Sequence, residues 1–312
     1  MSKSAVISPQ PGGQLKEGVF QRIRDNKICY VLVFPFMLFF TVFTILPVAI
    51  SLMFSFTSFN ILETPKFVGL DNYLRLFLND DIFIKSVGNT LIMAIAVGPG
   101  GYILSLLLAW AINELQPKVR SLVALVFYIP SISGNVYIVW STLFSGDDYG
   151  WLNGALLRFG IIQEPQQWLK KPEYMMPIII GVALWGSLGK SFLAFIAGLQ
   201  GIDRSYYEAA AVDGLKNRWQ ELWFITLPIM KPQLIFGAVM SITATFDIGI
   251  ISTALCGMPS TEYAVHTMMN HLEDYGGIRY EMGYASAIAT LLFIMMLACN
   301  KLFQKAVSKV GT

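Results

Sequence analysis

Long apolar stretches separated by short polar segments dominate this chain. Each stretch approaches or exceeds the roughly 20 residues that an α-helix needs to cross a bilayer. The pattern therefore predicts an all-α membrane protein with six transmembrane helices. Proline and glycine are predicted to interrupt the second at Gly98–Gly101 and the third near Pro130 and Gly134. The six stretches cover about residues 28–56, 87–112, 122–144, 175–199, 228–251 and 283–303.

Polar segments divide the chain around these stretches. Residues 1–27 are predicted to form a tail, residues 28–304 the six-helix membrane domain and residues 305–312 a second tail. The longest charged interruption, at about residues 203–228, lies between the fourth and fifth stretches. It is predicted to form two short helices joined at a glycine, and it is the segment most informative about function.

Composition supports the membrane assignment. Of 312 residues, 55% are hydrophobic and only 13% are charged, whereas soluble domains carry about 25% charged residues. No basic cluster with interleaved aromatic residues is present, so nucleic-acid binding is not expected. The three cysteines are scattered and odd in number, which gives neither a disulfide framework nor a thiolate metal site.

The distribution of Lys and Arg predicts the orientation. With the boundaries above, about fourteen lie in the two tails and in the loops after the second and fourth stretches, against about seven on the other side. The first set of segments is therefore expected to be cytoplasmic. Both termini and residues 203–228 belong to it, and lipid surrounds the helices.

Within residues 203–228, local signals predict a helical hairpin. Ser205 and Glu208 have the spacing of a capping box, and Gly214 suits the left-handed position that ends a helix. Asn217 followed by Gln220 can cap a second helix. Two interpretations stay equally open from these signals, an interfacial hairpin resting on lipid headgroups and a docking site for a partner protein.

The same segment resembles the EAA loop of the permease subunits of binding-protein-dependent ABC importers. One departure is that the distance from Gly214 to Pro228 is one residue longer than in the maltose-type pattern. The resemblance implies that coupling helices here insert into a cleft of a separate ATPase, with Glu208 pairing with a basic residue and Gly214 making the turn. The motifs that carry it are Glu208-Ala209-Ala210, Asp213-Gly214 and Ile225-Thr226-Leu227-Pro228.

Three further matches resemble the maltose/glycerol-phosphate branch of carbohydrate permeases. They are Val68–Tyr73, Asn89-Thr90 and Ile202-Asp203. The resemblance implies a permease subunit in the inner membrane of a prokaryote, forming part of the path for a sugar or oligosaccharide. It also implies a second similar permease, two ATPase chains and an external solute-binding protein as partners.

An ATP site on this chain is not expected. Gly189-Lys190-Ser191 is similar to the end of a P-loop, but the pattern needs a glycine at residue 184, where leucine stands. The chain is therefore predicted to bind no cofactor, with ATP and magnesium held by the partner ATPases. No nucleophile elbow appears either, so the chain is not expected to be an enzyme.

Sugar recognition uses aromatic faces together with hydrogen-bonding side chains. Lys190 and Asp247 are the ionisable residues placed most deeply in apolar stretches, where such groups face a cavity, a partner or each other. Ordinary packing remains an alternative for each candidate. The predicted substrate path comprises Tyr128, Asn135, Tyr137, Trp140, Trp185, Lys190 and Asp247.

His266 and His271 are five residues apart, which is not the i, i+4 spacing of metal-binding helices. They are predicted to be surface residues or contacts to an external partner. Two alternatives to the ABC permease remain at this point. One is an ion-coupled secondary transporter that uses Lys190 and Asp247, and the other is an assembly subunit without a path.

Overall fold

The computed structural model describes residues 26–132 and 136–309. In this part of the chain the structure is helical, and the strand-like pairing it shows is the single bridge between Thr57 and Phe67. Numbered in chain order, the helices are α1 (Lys27–Phe54), α2 (Asp71–Leu78), α3 (Asp81–Asn113), α4 (Pro117–Ile132), α5 (Val136–Leu143), α6 (Trp151–Arg158), α7 (Pro172–Gly186), α8 (Lys190–Gln200), α9 (Arg204–Val212), α10 (Arg218–Glu221), α11 (Lys231–Thr245), α12 (Ile248–Cys256), α13 (Met268–Glu273) and α14 (Met282–Val307).

Within the described residues, five helical segments are long and apolar enough to cross a membrane. They correspond to the first, second, fourth, fifth and sixth predicted stretches. The third stretch contains α4 and α5, and the predicted break at Gly134 lies between them, outside the described residues. The five segments are Lys27–Phe54, Asp81–Asn113, Pro172–Gln200, Lys231–Cys256 and Met282–Val307.

Most of helix α1 belongs to a unit that ends at Ile50 and is separate from Ser51–Thr312. The helix is apolar along its length and contains a π-helical turn at Thr41–Ile45. The packing described below concerns Ser51–Thr312.

The prediction that Gly98–Gly101 interrupts the second stretch was wrong, because α3 is one helix from Asp81 to Asn113. These glycines serve close packing instead. A Cβ atom at Gly98 would lie 2.6 Å from Ile242 Cδ1 of α11. Small residues let helix backbones approach in a membrane, where lipid competes for apolar contacts.

The helices of the fourth and fifth stretches, by contrast, are interrupted. Helices α7 and α8 are separated at Ser187–Gly189, and α11 and α12 are separated at Phe246–Asp247. Backbone groups released at such breaks need polar or water-filled surroundings. Both breaks line one cavity, described below.

The core between α3, α8 and α11 is built around aromatic residues. The Tyr102 ring meets Phe195 and Phe303 edge to face, with both centroid distances at 5.3 Å. Edge-to-face pairs are favoured because the positive ring edge meets the negative face. Through these two contacts the continuous helix α3 packs against α8 and α14.

The element Val68–Tyr73 has a structural role after α1. Gly69 has a φ of +62°, a conformation that favours glycine. Asn72 is buried and donates to the carbonyl oxygens of Ser55 and Thr57, at 2.8 and 2.9 Å. The Tyr73 hydroxyl donates to Ser55 Oγ at 2.8 Å. These bonds fix the start of α2 against residues 55–57.

Candidate functional site

The segment between the fourth and fifth stretches is a helical hairpin, as predicted. Helix α9 ends in a Schellman motif, in which the amide of Leu215 donates to Ala210 O at 3.0 Å and the amide of Gly214 donates to Ala211 O at 3.2 Å. Gly214 has a φ of +93°. Its predicted role as the turn residue is confirmed.

Both caps of the hairpin can be compared with prediction. Asn217 Oδ1 accepts from the Gln220 amide at 2.9 Å, so the predicted cap of α10 is confirmed. The predicted capping box of Ser205 and Glu208 is wrong. Asp203 is the N-cap and accepts from the Ser205 amide at 2.9 Å, which places Ser205 inside the first turn. The pKa of Asp203 is lowered by this bond, so its carboxylate stays ionised.

The predicted contact residues on and after helix α9 differ in how exposed they are to solvent. The Glu208 side chain is 73% exposed and lies 3.9 Å from Arg204. Ala209 and Asp213 are also exposed, whereas Ala210 is buried against the protein. Pro228, half-buried, follows the second half of the hairpin. The carboxylate and small residues therefore form a free surface, with Ala210 on the inner side.

A π-helical turn at Leu222–Thr226 separates α10 from Pro228. A π turn joins residues five apart rather than four, so it holds one extra residue. The π turn lies between Gly214 and Pro228, the segment that the sequence comparison predicts to be one residue longer than the maltose-type pattern. The Tyr207 and Thr226 hydroxyl groups, 3.0 Å apart, join the two halves of the hairpin.

A cavity of about 500 Å³ lies where the fourth and fifth stretches are broken. Five of the seven predicted path residues line it. The sixth, Trp140, packs edge to face against Trp185 with 5.2 Å between centroids, so it supports the wall. The seventh, Asn135, lies outside the described residues. The lining residues are Tyr128, Tyr137, Trp185, Lys190 and Asp247.

The breaks place the charged groups of the cavity. Lys190 is the first residue of α8 and Asp247 is the N-cap of α12, and both are exposed. Lys190 follows a break and Asp247 lies in one, and both side chains line the cavity. A cation, a carboxylate and aromatic faces thus share one wall.

The sequence did not single out the serine and threonine residues of the cavity. Ser191 and Ser241 bridge α8 and α11, with their hydroxyl oxygens 3.0 Å apart. The available signal was the pair of small residues Ser187 and Gly189 inside an apolar stretch. The small polar residues that line the cavity are Ser131, Ser187, Ser191, Ser241, Thr243 and Thr245.

The prediction that His266 and His271 are surface residues was wrong, because they are only 3% and 2% exposed. His266 Nε2 lies 3.3 Å from His271 Nδ1, and His271 Nε2 lies 3.0 Å from Asp80 Oδ2. The Tyr284 hydroxyl donates to the same Asp80 oxygen at 2.8 Å. We call these four residues the histidine cluster.

Burial determines the charge states in the histidine cluster. Burial, followed by the neighbouring His271, lowers the pKa of His266 to about 4. Burial also lowers the pKa of His271, although Asp80 acts in the opposite direction. For Asp80, burial favours the neutral acid, but hydrogen bonds from the Phe83 amide, Tyr284 and His271 lower its pKa below the ordinary value. At neutral pH the imidazoles are neutral and Asp80 is ionised, so His271 Nε2–H donates to Asp80.

Together these features define a class of protein. Helical segments able to span a membrane, a polar and aromatic cavity at their breaks, and an exposed hairpin have the architecture of a membrane transport subunit. Comparison with known proteins then gives the family.

Residues 101–309 match the family described as binding-protein-dependent transport system inner membrane component. The chain is 34% identical over 279 residues to the probable ABC transporter permease protein YesP of Bacillus subtilis, covering 88% of each chain. It is 32% identical over 222 residues to the lactose transport system permease protein LacF of Rhizobium radiobacter, covering 70% of this chain and 72% of that one.

A solved structure has the same fold. It is a chain of the bacterial alginate ABC transporter in complex with alginate pentasaccharide-bound periplasmic protein. The TM-score is 0.75 at 24% identity, covering 95% of this chain and 100% of that chain.

The protein belongs to the family of binding-protein-dependent transport system inner membrane components. It is a permease subunit of an ABC transporter, so the predicted family and the prediction of a non-enzymatic transport subunit are confirmed. Family membership also decides against the ion-coupled transporter and the assembly subunit.

Proposed function

We propose that this permease carries a sugar or oligosaccharide across the inner membrane of a prokaryote, with six spans and both termini cytoplasmic. The lactose permease among its relatives supports a carbohydrate substrate. An external solute-binding protein delivers the substrate, as the family description implies. A second permease subunit of the same type completes the path.

Contacts between loops support the proposed orientation. Arg218 of the hairpin pairs with Glu114 after α3 at 2.6 Å, so the loops after the second and fourth stretches share one side. Arg75 pairs with Glu281 at 2.6 Å, and Lys85 Nζ donates to Glu262 O at 2.7 Å. The loops after the first and fifth stretches therefore share a side as well. The first pair of loops is the Lys- and Arg-rich one, hence cytoplasmic.

The cavity is the observation that carries the proposal. Its volume of about 500 Å³ is within the range of roughly 300–1,000 Å³ typical of small-molecule sites. Trp185 and Tyr128 offer ring faces for the apolar side of a sugar ring. Lys190, Asp247 and the serine hydroxyls offer donors and acceptors for its hydroxyl groups.

The hairpin is the site at which one of the two ATPase chains of the transporter engages this permease. Glu208 pairs with a basic residue of the ATPase, since a charge-assisted bond to arginine is directional and strong. Ala209 and the exposed Asp213 border the same surface, Ala210 and Pro228 fix it to the protein, and Gly214 makes the turn. ATP and magnesium are bound by the ATPases, not by this chain.

Transport then follows from linkage between two states. ATP binding closes the ATPase dimer and moves the hairpin, and the helices repack between arrangements that open the cavity to one side and then the other. Breaks at Ser187–Gly189 and Phe246–Asp247 supply points at which the half-helices α7, α8, α11 and α12 change their relative angle. No covalent bond changes in this chain.

Uptake measurements in cells test the proposal. Cells carrying the chain with its native partners are given labelled disaccharides and oligosaccharides, lactose among them. Glu208→Ala is expected to abolish uptake and ATPase co-purification while leaving the amount of chain in the membrane unchanged. Glu63→Ala, an exposed carboxylate remote from the hairpin, is the matched control. Uptake that survives Glu208→Lys, or that persists after ATP depletion, contradicts the coupling role.

The cavity is tested separately with the same panel of sugars. Trp185→Ala removes a ring face and is expected to change the order of preference among the sugars without releasing the ATPase. An unchanged order would mean that the substrate does not contact this wall.

A further inference from the structure

The second half of the hairpin is attached to the inner end of α3. Arg218 Nη2 lies 2.6 Å from Glu114 Oε2, and Glu114 is the C-cap of α3. The rings of Trp219 and Trp110 are tilted against each other with centroids 4.9 Å apart. Trp110 and Glu114 are four residues apart and so lie on one face at the end of the helix. Two adjacent hairpin residues thus contact two neighbouring positions on one helix.

Helix α3 extends from this attachment to the histidine cluster. It is unbroken over 33 residues, a length of about 50 Å at 1.5 Å per residue. At its far end, Asp80 is the N-cap and binds His271 and Tyr284. Asn89 donates to His266 O at 2.9 Å, and Thr90 accepts from the Met268 amide at 2.9 Å. Both ends of α3 are therefore fastened to loops.

The middle of α3 lies beside the cavity. Val97 is one of the lining residues. Gly98 packs on Ile242 of α11, and Gly101 packs on Ser187 at the break between α7 and α8. Because α3 is in close contact with side chains of both broken segments at Gly98 and Gly101, a shift of α3 along its axis would press on both of them.

The contacts of Arg218 and Trp219 with α3 are better suited to transmitting a movement than to stabilising the fold. Arg218 and Glu114 are 63% and 42% exposed, and ion pairs of this kind contribute little to folding. The contact also lies on α10, beyond the Gly214 turn from Glu208. A movement imposed on α9 reaches α3 through α10.

We propose that Glu114 and Trp110 are positioning residues that transmit the movement of the hairpin to α3, and through α3 to the cavity. The proposal rests on the proposed function, in which an ATPase moves the hairpin. It adds the route by which that movement reaches the substrate path. In this role neither residue needs to contact the ATPase or the substrate.

The test uses the complete transporter purified with its ATPases and reconstituted in lipid. Its readout requires no knowledge of the substrate. A single cysteine, Ser131→Cys, is placed in the cavity wall of a chain whose Cys29, Cys256 and Cys299 are replaced by alanine. The labelling rate with a membrane-impermeant maleimide is measured without nucleotide and with ATP and vanadate. The nucleotide-dependent change in rate reports the coupling.

Glu114→Gln and Trp110→Leu are each expected to retain the ATPases and to reduce the change in labelling rate about fivefold or more, the lower range of allosteric coupling. The charge exchange Glu114→Arg with Arg218→Glu restores part of it, because Arg218 also pairs with Glu221 at 3.4 Å and that pair is lost. Glu63→Gln, which breaks the exposed Glu63–Lys66 pair, leaves it unchanged. If Glu114→Gln does not fold and is missing from the membrane altogether, Trp110→Leu alone tests the proposal.

Two results overturn the proposal. One is an unchanged nucleotide response in assembled variants, which would make the contacts a structural anchor only. The other is loss of the ATPases from Glu114→Gln, which would make it a docking residue. A failure of the proposed function can be told apart from a failure of this proposal. It would appear as normal ATPase binding and transport in Glu208→Ala.

Discussion

Gly101 in α3 lies directly against Ser187, at the break between α7 and α8. A Cβ atom at residue 101 would come within 2.5 Å of Ser187 Oγ and 2.8 Å of Ser187 Cβ. The Ser187 hydroxyl donates to Leu184 O at 2.6 Å, which holds the side chain in place. Because Ser187 also lines the cavity, this contact joins the continuous helix to the wall of the path.

Gly101→Ala is therefore expected to destabilise the protein by about 1–3 kcal/mol, the usual effect of overpacking a tight contact. Gly88→Ala is the matched control in the same helix, since no atom lies within 4 Å of a Cβ there. Alanine is the better helix former, so the control should be neutral or slightly stabilising. Thermal unfolding in detergent measures both. Equal melting temperatures would contradict the close approach.

The histidine cluster predicts that stability falls as the pH is lowered. His266 and His271 have lowered pKa values in the folded protein, with His266 at about 4 against an ordinary 6.5. The unfolded chain therefore binds more protons between these values. The stability contributed by the cluster is fully present above about pH 6.5 and is lost as the pH falls towards 4, by at most about 1.4 kcal/mol per pH unit for each histidine. Asp80, with its lowered pKa, adds a loss at lower pH still.

Melting temperatures at pH 8, 6.5 and 5 check this prediction. The variant His266→Gln with His271→Gln is expected to be less stable at pH 8 but to show a flatter pH dependence. An equally steep dependence in the variant would assign the effect to other groups.

Signals that lie within one stretch of sequence were predictable. The apolar runs follow from composition, and Gly214 and Asn217 follow from local backbone requirements. The cap at Asp203 was missed because two residues with capping side chains, Asp203 and Ser205, lie close together. The helix begins after the earlier of the two, Asp203. The two residues before Asn217 have no capping side chain, so its role was predictable.

Features that depend on long-range packing were not predictable. His266 and His271 lie in an acidic, polar loop, yet contacts to Asp80, almost 200 residues earlier, bury them. The glycines of α3 indicated a break because their use in close packing depends on Ile242 and Ser187. The aromatic and charged residues around the cavity could be proposed from the sequence. The breaks at Ser187–Gly189 and Phe246–Asp247, which bring Lys190 and Asp247 to the same cavity, could not.

Asn153 is fully buried and organises the loop from residue 145 to residue 168. Its amide nitrogen donates to the carbonyl oxygens of Ser145, Asp147 and Gln166, and its oxygen accepts from the Gln166 amide and Trp168 Nε1. Asn153→Leu would leave these groups unpaired, at about 1–3 kcal/mol for a buried group.

The loss is expected to open the loop locally. Protease should cleave Asn153→Leu faster between residues 145 and 168, with little change in cleavage elsewhere. Asn153→Asp keeps the acceptor but turns a carboxylate oxygen towards the three carbonyl oxygens in a buried site, so it should open the loop at least as much as Asn153→Leu. Identical cleavage of all three proteins would show that the loop is held by other contacts.

The π turn at Leu222–Thr226 gives a prediction about length. A deletion inside an α-helix rotates everything after it by about 100°, but a deletion inside a π turn leaves an ordinary α turn. Deleting the exposed Trp223 should therefore preserve the relation between the hairpin and α11, together with the Tyr207–Thr226 contact. Deleting the exposed Phe236 from α11 is the matched control and should misalign that helix with α3. Size-exclusion profiles in detergent distinguish the two outcomes. A monodisperse Trp223 deletion beside an aggregated Phe236 deletion is expected, and aggregation of both would mean that the extra residue is required for folding.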